Sequence, residues 1–260
     1  MEQFVCLSGL PRSGSTLLSA ILSQNPLIHA EGNSAVCQLM WDMQQSCLTT
    51  SKEQLLATGR EKVTVHDLIS QIPNIYYKNM KEKIVVDKCR SWTIPANIAM
   101  LEKYVDKHYK IIILERSITD IVKSFVKLYN ANGIYDNIEN KLLMPNSEPI
   151  MRSISGINWA KKHNKHGHFL FINYDDLIGN TEATINKIYD FCGWEYFSHD
   201  FKNIECKYPE NDSVYGLKGM HKIHSKVERK ENSTILSSKS LEKCKTIEKL
   251  MGFSSENSEK

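Results

Sequence analysis

Eight residues near the start of the chain, Gly9-Leu-Pro-Arg-Ser-Gly-Ser-Thr16, have the composition of an oxyanion cradle. Small residues let backbone N–H groups turn into a loop, and a helix starting there adds its partial positive charge. Arg12 contributes a full charge and a planar fork of donors suited to phosphate or sulfate. The spacing is that of a P-loop, G-x-x-x-x-G-K-[ST], with one replacement. Gly9, Gly14 and Thr16 fit, and Ser15 stands at the lysine position. That lysine normally reaches the terminal phosphates of a triphosphate, so its loss argues against an ordinary NTPase or kinase. The plainer alternative is a tight turn that binds nothing. An arginine flanked by small residues speaks against it.

A second group lies further on. Arg116 directly follows the apolar run Lys110-Ile-Ile-Ile-Leu-Glu115, and Ser124 comes eight residues later, two turns into the next helical pattern. A strand-end guanidinium and a helix-borne hydroxyl can close on one phosphate group. Their plainer reading is a solvated pair beside a core helix. Lys161-Lys-His-Asn-Lys-His-Gly-His168 holds three histidines, but without a carboxylate or thiolate partner. It reads as a solvated helix end, and no metal site is expected. Met40, Trp41 and Met43 can line a substrate pocket, although core packing is the stronger reading.

The elements that carry these residues follow from periodicity. Phe4–Leu7, Leu27–Ala30, Ile84–Asp87, Lys110–Glu115 and Phe169–Asn173 read as strands. The second of these delivers Glu31 at its C-terminal end, the edge where open α/β sheets bind ligands. Helices are predicted from Leu17, over 34–47, in two pieces over 53–80 broken near Pro73, and from Pro95 to His108. Further helices are predicted over Thr119–Asn130, 151–164, 181–192 with Thr181 as cap, and 236–251. Residues 131–149 and 207–233 read as long polar loops, which are usually functional. Strands separated by helices predict one α/β, P-loop-like domain, with a central, mostly parallel sheet flanked by helices. The domain is expected to span 1–252, with a frayed tail over 253–260.

Composition narrows the partners. The chain has 260 residues, 24% charged, and a net charge of +3, too mild for nucleic acid but compatible with an anionic ligand. Seven scattered cysteines without a C-x-x-C pair read as reduced thiols and a cytoplasmic setting. Without a run of about 18 apolar residues, no transmembrane helix is expected. The chain enters a strand almost at once and lacks a basic leader, so no signal peptide is expected either.

With both groups placed, the sequence resembles the sulfotransferases that use 3′-phosphoadenosine-5′-phosphosulfate (PAPS). Members carry a strand, a P-[RK]-S-G-[ST]-T loop and a helix near the N-terminus, here Pro11-Arg-Ser-Gly-Ser-Thr16. They also carry an apolar strand ending in Arg with Ser eight residues on, here Arg116 and Ser124. Phe171-Ile-Asn-Tyr-Asp-Asp-Leu-Ile178 and Phe191-Cys-Gly193 look like the family's Y-E-D-L segment and F-x-G helix end. Ser225-Lys-Val-Glu-Arg229 and Val86-Asp-Lys88 are similar to stretches of the protein-tyrosine sulfotransferase branch, the closest in motifs. The chain departs from the pattern after Arg116, where Ser117 and Ile118 replace the usual Asp/Asn-Pro. Leu128, with Lys127 beside it, stands where the tyrosyl-protein enzymes carry a second basic residue.

The resemblance implies a sulfotransferase that moves a sulfuryl group in line from PAPS to an acceptor hydroxyl, whether tyrosyl, carbohydrate or small alcohol. It implies that Arg12, Ser13, Gly14, Ser15 and Thr16 hold the 5′-phosphosulfate, that Arg116 and Ser124 hold the 3′-phosphate, and that Tyr174 contacts the nucleotide. Arg12 and Lys88 would neutralise the bridging oxygen without a metal, and Ser225 would touch the transferring group. Glu31 is the expected base, with His29 as its competitor. Two alternatives stay open: a divergent P-loop nucleotide or small-molecule kinase, which would draw a metal-binding carboxylate from Asp87, and a non-catalytic anion- or nucleotide-binding module.

Overall fold

Among the described residues five strands, β1 (Gln3–Gly9), β2 (Ile28–Asn33), β3 (Ile84–Lys88), β4 (Ile111–Glu115) and β5 (Phe169–Asn173), pair in parallel in the order β2-β3-β1-β4-β5. The computed structural model describes residues 1–145, 147–164, 166–229 and 232–252; the expected tail over 253–260 lies outside them. The α/β expectation therefore holds, and the sheet is wholly parallel. Between β1 and β2 runs α1 (Ser15–Leu22), and between β2 and β3 run α2 (Val36–Leu48), α3 (Lys52–Ala57), α4 (Val63–Ser70) and α5 (Ile72–Tyr76). Next come α6 (Pro95–Tyr104), α7 (Ile118–Ala131), α8 (Ile138–Leu142) and α9 (Ile150–His163). After β5 follow α10 (Tyr174–Gly179), α11 (Thr181–Cys192) and α12 (Ser238–Leu250).

Successive strand residues point to opposite faces, and each face has its own core. Val5, Leu7, Val86, Ile112 and Leu114 pack with α1 and α11 through Leu18, Ile21, Ile185 and Ile188. Cys6, Val85, Ile111 and Ile113 pack on the other side with Met40, Ile98, Phe125 and Ile157. Met40 is fully buried, so the packing reading of that residue is the correct one. The chain leaves β1 toward β2 on one side of the sheet and later returns to β4 on the other. Such a switch point opens a crevice at the carboxyl ends of the central strands. The first loop, Lys88 and Arg116 all sit there, because each ends or follows one of β1, β3 and β4.

One contact fixes how the first loop leaves the sheet. Gly9 has φ +139°, and a Cβ there would lie 2.3 Å from the Leu114 carbonyl oxygen. Only glycine allows that approach, and it lets the Leu10 N–H bond the same carbonyl at 2.8 Å. The neighbouring arginine's helix is fixed from the far end of the chain. Glu248 of α12 accepts from Ser117 Oγ at 2.8 Å and from the Thr119 N–H at 2.9 Å, capping α7.

Several element expectations need correction. Residues 53–80 hold three helices, broken at Gly59 and Gln71; Pro73 lies in the first turn of α5, where its missing N–H costs nothing. Residues 131–149 are not merely a polar loop: α8 docks Ile138 and Leu142 into the core. Thr181 does not cap α11. Its Oγ donates to the Leu177 carbonyl at 2.8 Å, continuing from the short α10 that periodicity misses. The end of α9 is less solvated than expected, since Lys161 pairs with Glu115 at 2.8 Å.

Candidate active site

A cavity of about 480 Å³ opens over the carboxyl ends of β1, β3 and β4, lined by Arg12, Ser15, Thr16, Lys88, Arg116 and Ser124 among others. The first loop shapes it. Arg12 takes φ +58°, a left-handed conformation uncommon outside glycine, and Arg116 holds it there by donating to the Arg12 carbonyl at 2.8 Å. Ser13 is fully buried and donates to the Leu10 carbonyl at 2.5 Å, so its hydroxyl braces the loop from within. Gly14, at φ +91°, starts α1 and lies so close to the Tyr174 ring that a Cβ would meet it at 3.0 Å.

The two arginine groups, separate in the sequence, form one cluster. Arg12 Nε donates to Ser124 Oγ at 3.0 Å, and its Nη1 bonds the Met220 carbonyl. The Arg116 guanidinium stacks 4.0 Å over the Tyr174 ring. Burial, and then the Arg116 charge, pulls the Arg12 guanidinium below its ordinary pKa. An anion in the cavity would relieve that repulsion. The Arg12 side chain thus lies with Ser124, while Lys88 is the cation beside the α1 N-terminus, 3.4 Å from Thr16 Oγ1. Burial pulls the Lys88 ammonium below its ordinary value, and the Glu210 carboxylate at 3.0 Å partly holds it up.

Other expected residues stand apart from the cavity. Glu31 lies inside β2 at a break in its register, 3.3 Å from His29 Nε2, and faces a small separate pocket. His29 is fully buried against the Tyr208 ring at 4.5 Å. Ser225 is exposed, and its carbonyl accepts from the Ile204 N–H at 2.7 Å. Asp87 is also fully buried, bonded by Trp92 Nε1 at 2.6 Å, by the Tyr77 hydroxyl at 2.8 Å and by Ser34. It ties β3 to its flanking elements and presents no open carboxylate to a metal, which counts against the kinase alternative.

Three residues escaped the sequence reading: Glu210, Asp212 and His221. All fall in the part of 207–233 ahead of residues 225–229, where the only readable signal is length and polarity. Glu210 reaches Lys88, His221 lines the cavity, and Asp212 bonds His221.

The donor set suits an anion with more than one charged group. It gathers Arg12, Arg116, Lys88 and three hydroxyls in a glycine-shaped cradle. Arg116 Nε is a buried donor with no hydrogen-bond partner among the described residues, the kind of group an oxyanion satisfies.

Fold and cradle together are those of a P-loop-like α/β domain. The chain belongs to the sulfotransferase family, whose sequence pattern matches residues 5–198. Among curated proteins none matches the sequence. Solved structures share the fold. The sulfotransferase domain from the curacin biosynthetic pathway is 17% identical with a TM-score of 0.61, over 97% of each chain. The sulfotransferase domain of the Synechococcus PCC 7002 olefin synthase is 17% identical with a TM-score of 0.54, over 94% of this chain and 93% of that one. Mouse sulfotransferase SULT7A1, solved in complex with PAP, is 13% identical with a TM-score of 0.54, over 95% of this chain and 83% of that one. Among the described residues no helix is long and apolar enough to cross a membrane.

Proposed function

We propose that the chain transfers a sulfuryl group from PAPS to an acceptor hydroxyl. The observation that carries this reading is the convergence of Arg12, Ser124, Arg116 and Tyr174 in one set of contacts, with Lys88 beside Thr16 in the same cavity. In this scheme Arg116, Ser124 and Arg12 hold the 3′-phosphate. Arg12 thereby moves from the role expected at the bridging oxygen, because its guanidinium is engaged by Ser124. Tyr174 backs the Arg116 plane. The Gly14-Ser-Thr16 turn and Lys88 hold the 5′ end. When bound, PAPS supplies the sulfuryl group on a phosphate leaving group.

The chain's own work is positioning and charge. Lys88, nine-tenths or more out of solvent, is a poorly hydrated cation next to the α1 N-terminus, and its charge is worth more there than in water. The fixed loop, braced by Ser13 and Arg116, holds its donors before any ligand arrives, which lowers the cost of ordering. Arg12, Arg116 and Lys88 supply the positive charge, so the scheme needs no divalent metal. The odd count and scattered spacing of the seven cysteines, without a C-x-x-C pair, are the ground for proposing a reducing compartment, the cytoplasm.

A thermal-shift titration with adenosine 3′,5′-bisphosphate (PAP) against ATP with Mg²⁺ tests the reading. A ligand that binds only the folded state raises its stability by mass action. A shift with PAP alone is expected. A shift with Mg-ATP alone would replace this reading with the kinase.

A further inference from the structure

We propose that His221, positioned by Asp212, takes the proton from the acceptor hydroxyl; the inference rests on the sulfotransferase reading above. His221 lines the same cavity as Arg12 and Lys88, and its side chain is 11% exposed. Its Nδ1 lies 2.6 Å from Asp212 Oδ1, and its backbone N–H donates to Asp212 Oδ2 at 3.2 Å. The carboxylate therefore grips both the ring and the main chain of one residue. A ring that donates Nδ1–H to Asp212 keeps its lone pair on Nε2.

The surroundings suit a base. Nε2 stands 3.4 Å from Glu210 Oε1, beyond the ordinary hydrogen-bond range. Glu210 is itself engaged by Lys88 at 3.0 Å and by Asn33 Nδ2 at 3.3 Å. Tyr215 covers the ring at 5.7 Å between centroids. The ring sits between the Asp212 and Glu210 carboxylates. Asp212 is well suited to hold it: burial pushes its carboxyl up, but the hydrogen bonds from His221 outweigh this and hold it below the usual range. Glu31, by contrast, faces His29 and the separate small pocket.

The step balances. The acceptor oxygen bonds to sulfur while its proton passes to Nε2 of His221. The bond between sulfur and the 5′-phosphate oxygen breaks, and its electron pair stays on that oxygen beside Lys88. His221 then returns the proton to solvent. Asp212 touches no reacting atom and is a positioning residue.

The test uses His221→Gln, Asp212→Asn and Glu210→Gln, with PAP binding by calorimetry and PAP release from PAPS with phenol or 4-nitrophenol as acceptor. His221→Gln is expected to bind PAP like the unmodified protein and to lose about 100-fold or more in turnover of phenol. It should lose far less with 4-nitrophenol assayed at a pH above its own pKa, where that acceptor is already mostly ionised and needs no base. Equal losses with both phenols, or a larger loss in Glu210→Gln than in His221→Gln, would overturn the assignment. Nitrogen-15 NMR of the His221 ring needs no acceptor. An Nδ1–H tautomer that shifts in Asp212→Asn is expected, and an Nε2–H tautomer in the unmodified protein would also overturn it. Failure of the unmodified protein to bind PAP would instead sink the sulfotransferase reading.

Discussion

Arg12 and Ser124, 112 residues apart in the chain, are joined by a 3.0 Å hydrogen bond from Nε to Oγ. The bond ties the loop after β1 to the second turn of α7. Arg116 closes the same ring from β4 through the Arg12 carbonyl at 2.8 Å. Two motifs that look independent in sequence are therefore one hydrogen-bonded cluster, and neither arginine can be removed without disturbing the other.

Arg12→Ala and Arg116→Ala are each expected to weaken PAP binding by more than tenfold. Each removes a charge-assisted contact worth about 1.5–3 kcal/mol. Arg116→Ala also removes the brace on the left-handed Arg12 backbone and the stack on Tyr174. Its loss should equal or exceed that of Arg12→Ala. Calorimetric titration with PAP reads both, and an unchanged affinity in either variant would count against the site.

Gly9→Ala tests the loop's exit from the sheet. The added methyl would lie 2.3 Å from the Leu114 carbonyl oxygen and 2.6 Å from its nitrogen, so β1 and β4 must part. The backbone angle of φ +139° adds strain for any side chain. A loss of roughly 2–4 kcal/mol in urea unfolding is expected. A loss below about 0.5 kcal/mol would mean that the strands do not hold this approach.

Much of this was legible beforehand, for stated reasons. The strands ending in the first loop, Lys88 and Arg116 are short, apolar and flanked by turn residues, so periodicity finds them. The cradle residues sit at fixed offsets from those strands, so spacing finds them too. Glu31 lies outside the main cavity, on the edge strand β2 and beside a register shift between Ala30 and Asn33 that no sequence pattern marks. Glu210, Asp212 and His221 lie on irregular backbone, where side-chain direction follows from tertiary contacts rather than from a repeat. The Arg12–Ser124 bond was equally hidden. It depends on the angle at which α7 crosses the loop.

That angle is held in part by α12. Glu248 bonds Ser117 and the Thr119 N–H at the start of α7, the helix that carries Ser124. Glu248→Ala removes a cap and is expected to cost about 0.5–2 kcal/mol of stability. Because Ser124 lies two turns from the cap, PAP affinity should also fall, though by less than in Arg12→Ala. Urea unfolding and calorimetry together check this. A normal stability with a normal affinity would show that α12 does not steady α7.

Asp212 offers a pH signature. Its carboxyl is held below the ordinary value of 3.8, against the effect of burial, by the bonds from His221. The unfolded chain, with the higher pKa, therefore binds more protons in acid than the folded chain does. The stability that Asp212 contributes is fully present above about pH 4 and is lost as pH falls through the depressed folded value. Asp212→Asn should accordingly be less stable than the unmodified protein near neutral pH, and the gap should narrow as the pH is lowered below 4. Urea unfolding across that range measures the gap. A gap that stays constant with pH would mean that the Asp212–His221 contact at 2.6 Å carries no differential charge interaction, and would leave His221 without the partner that positions it.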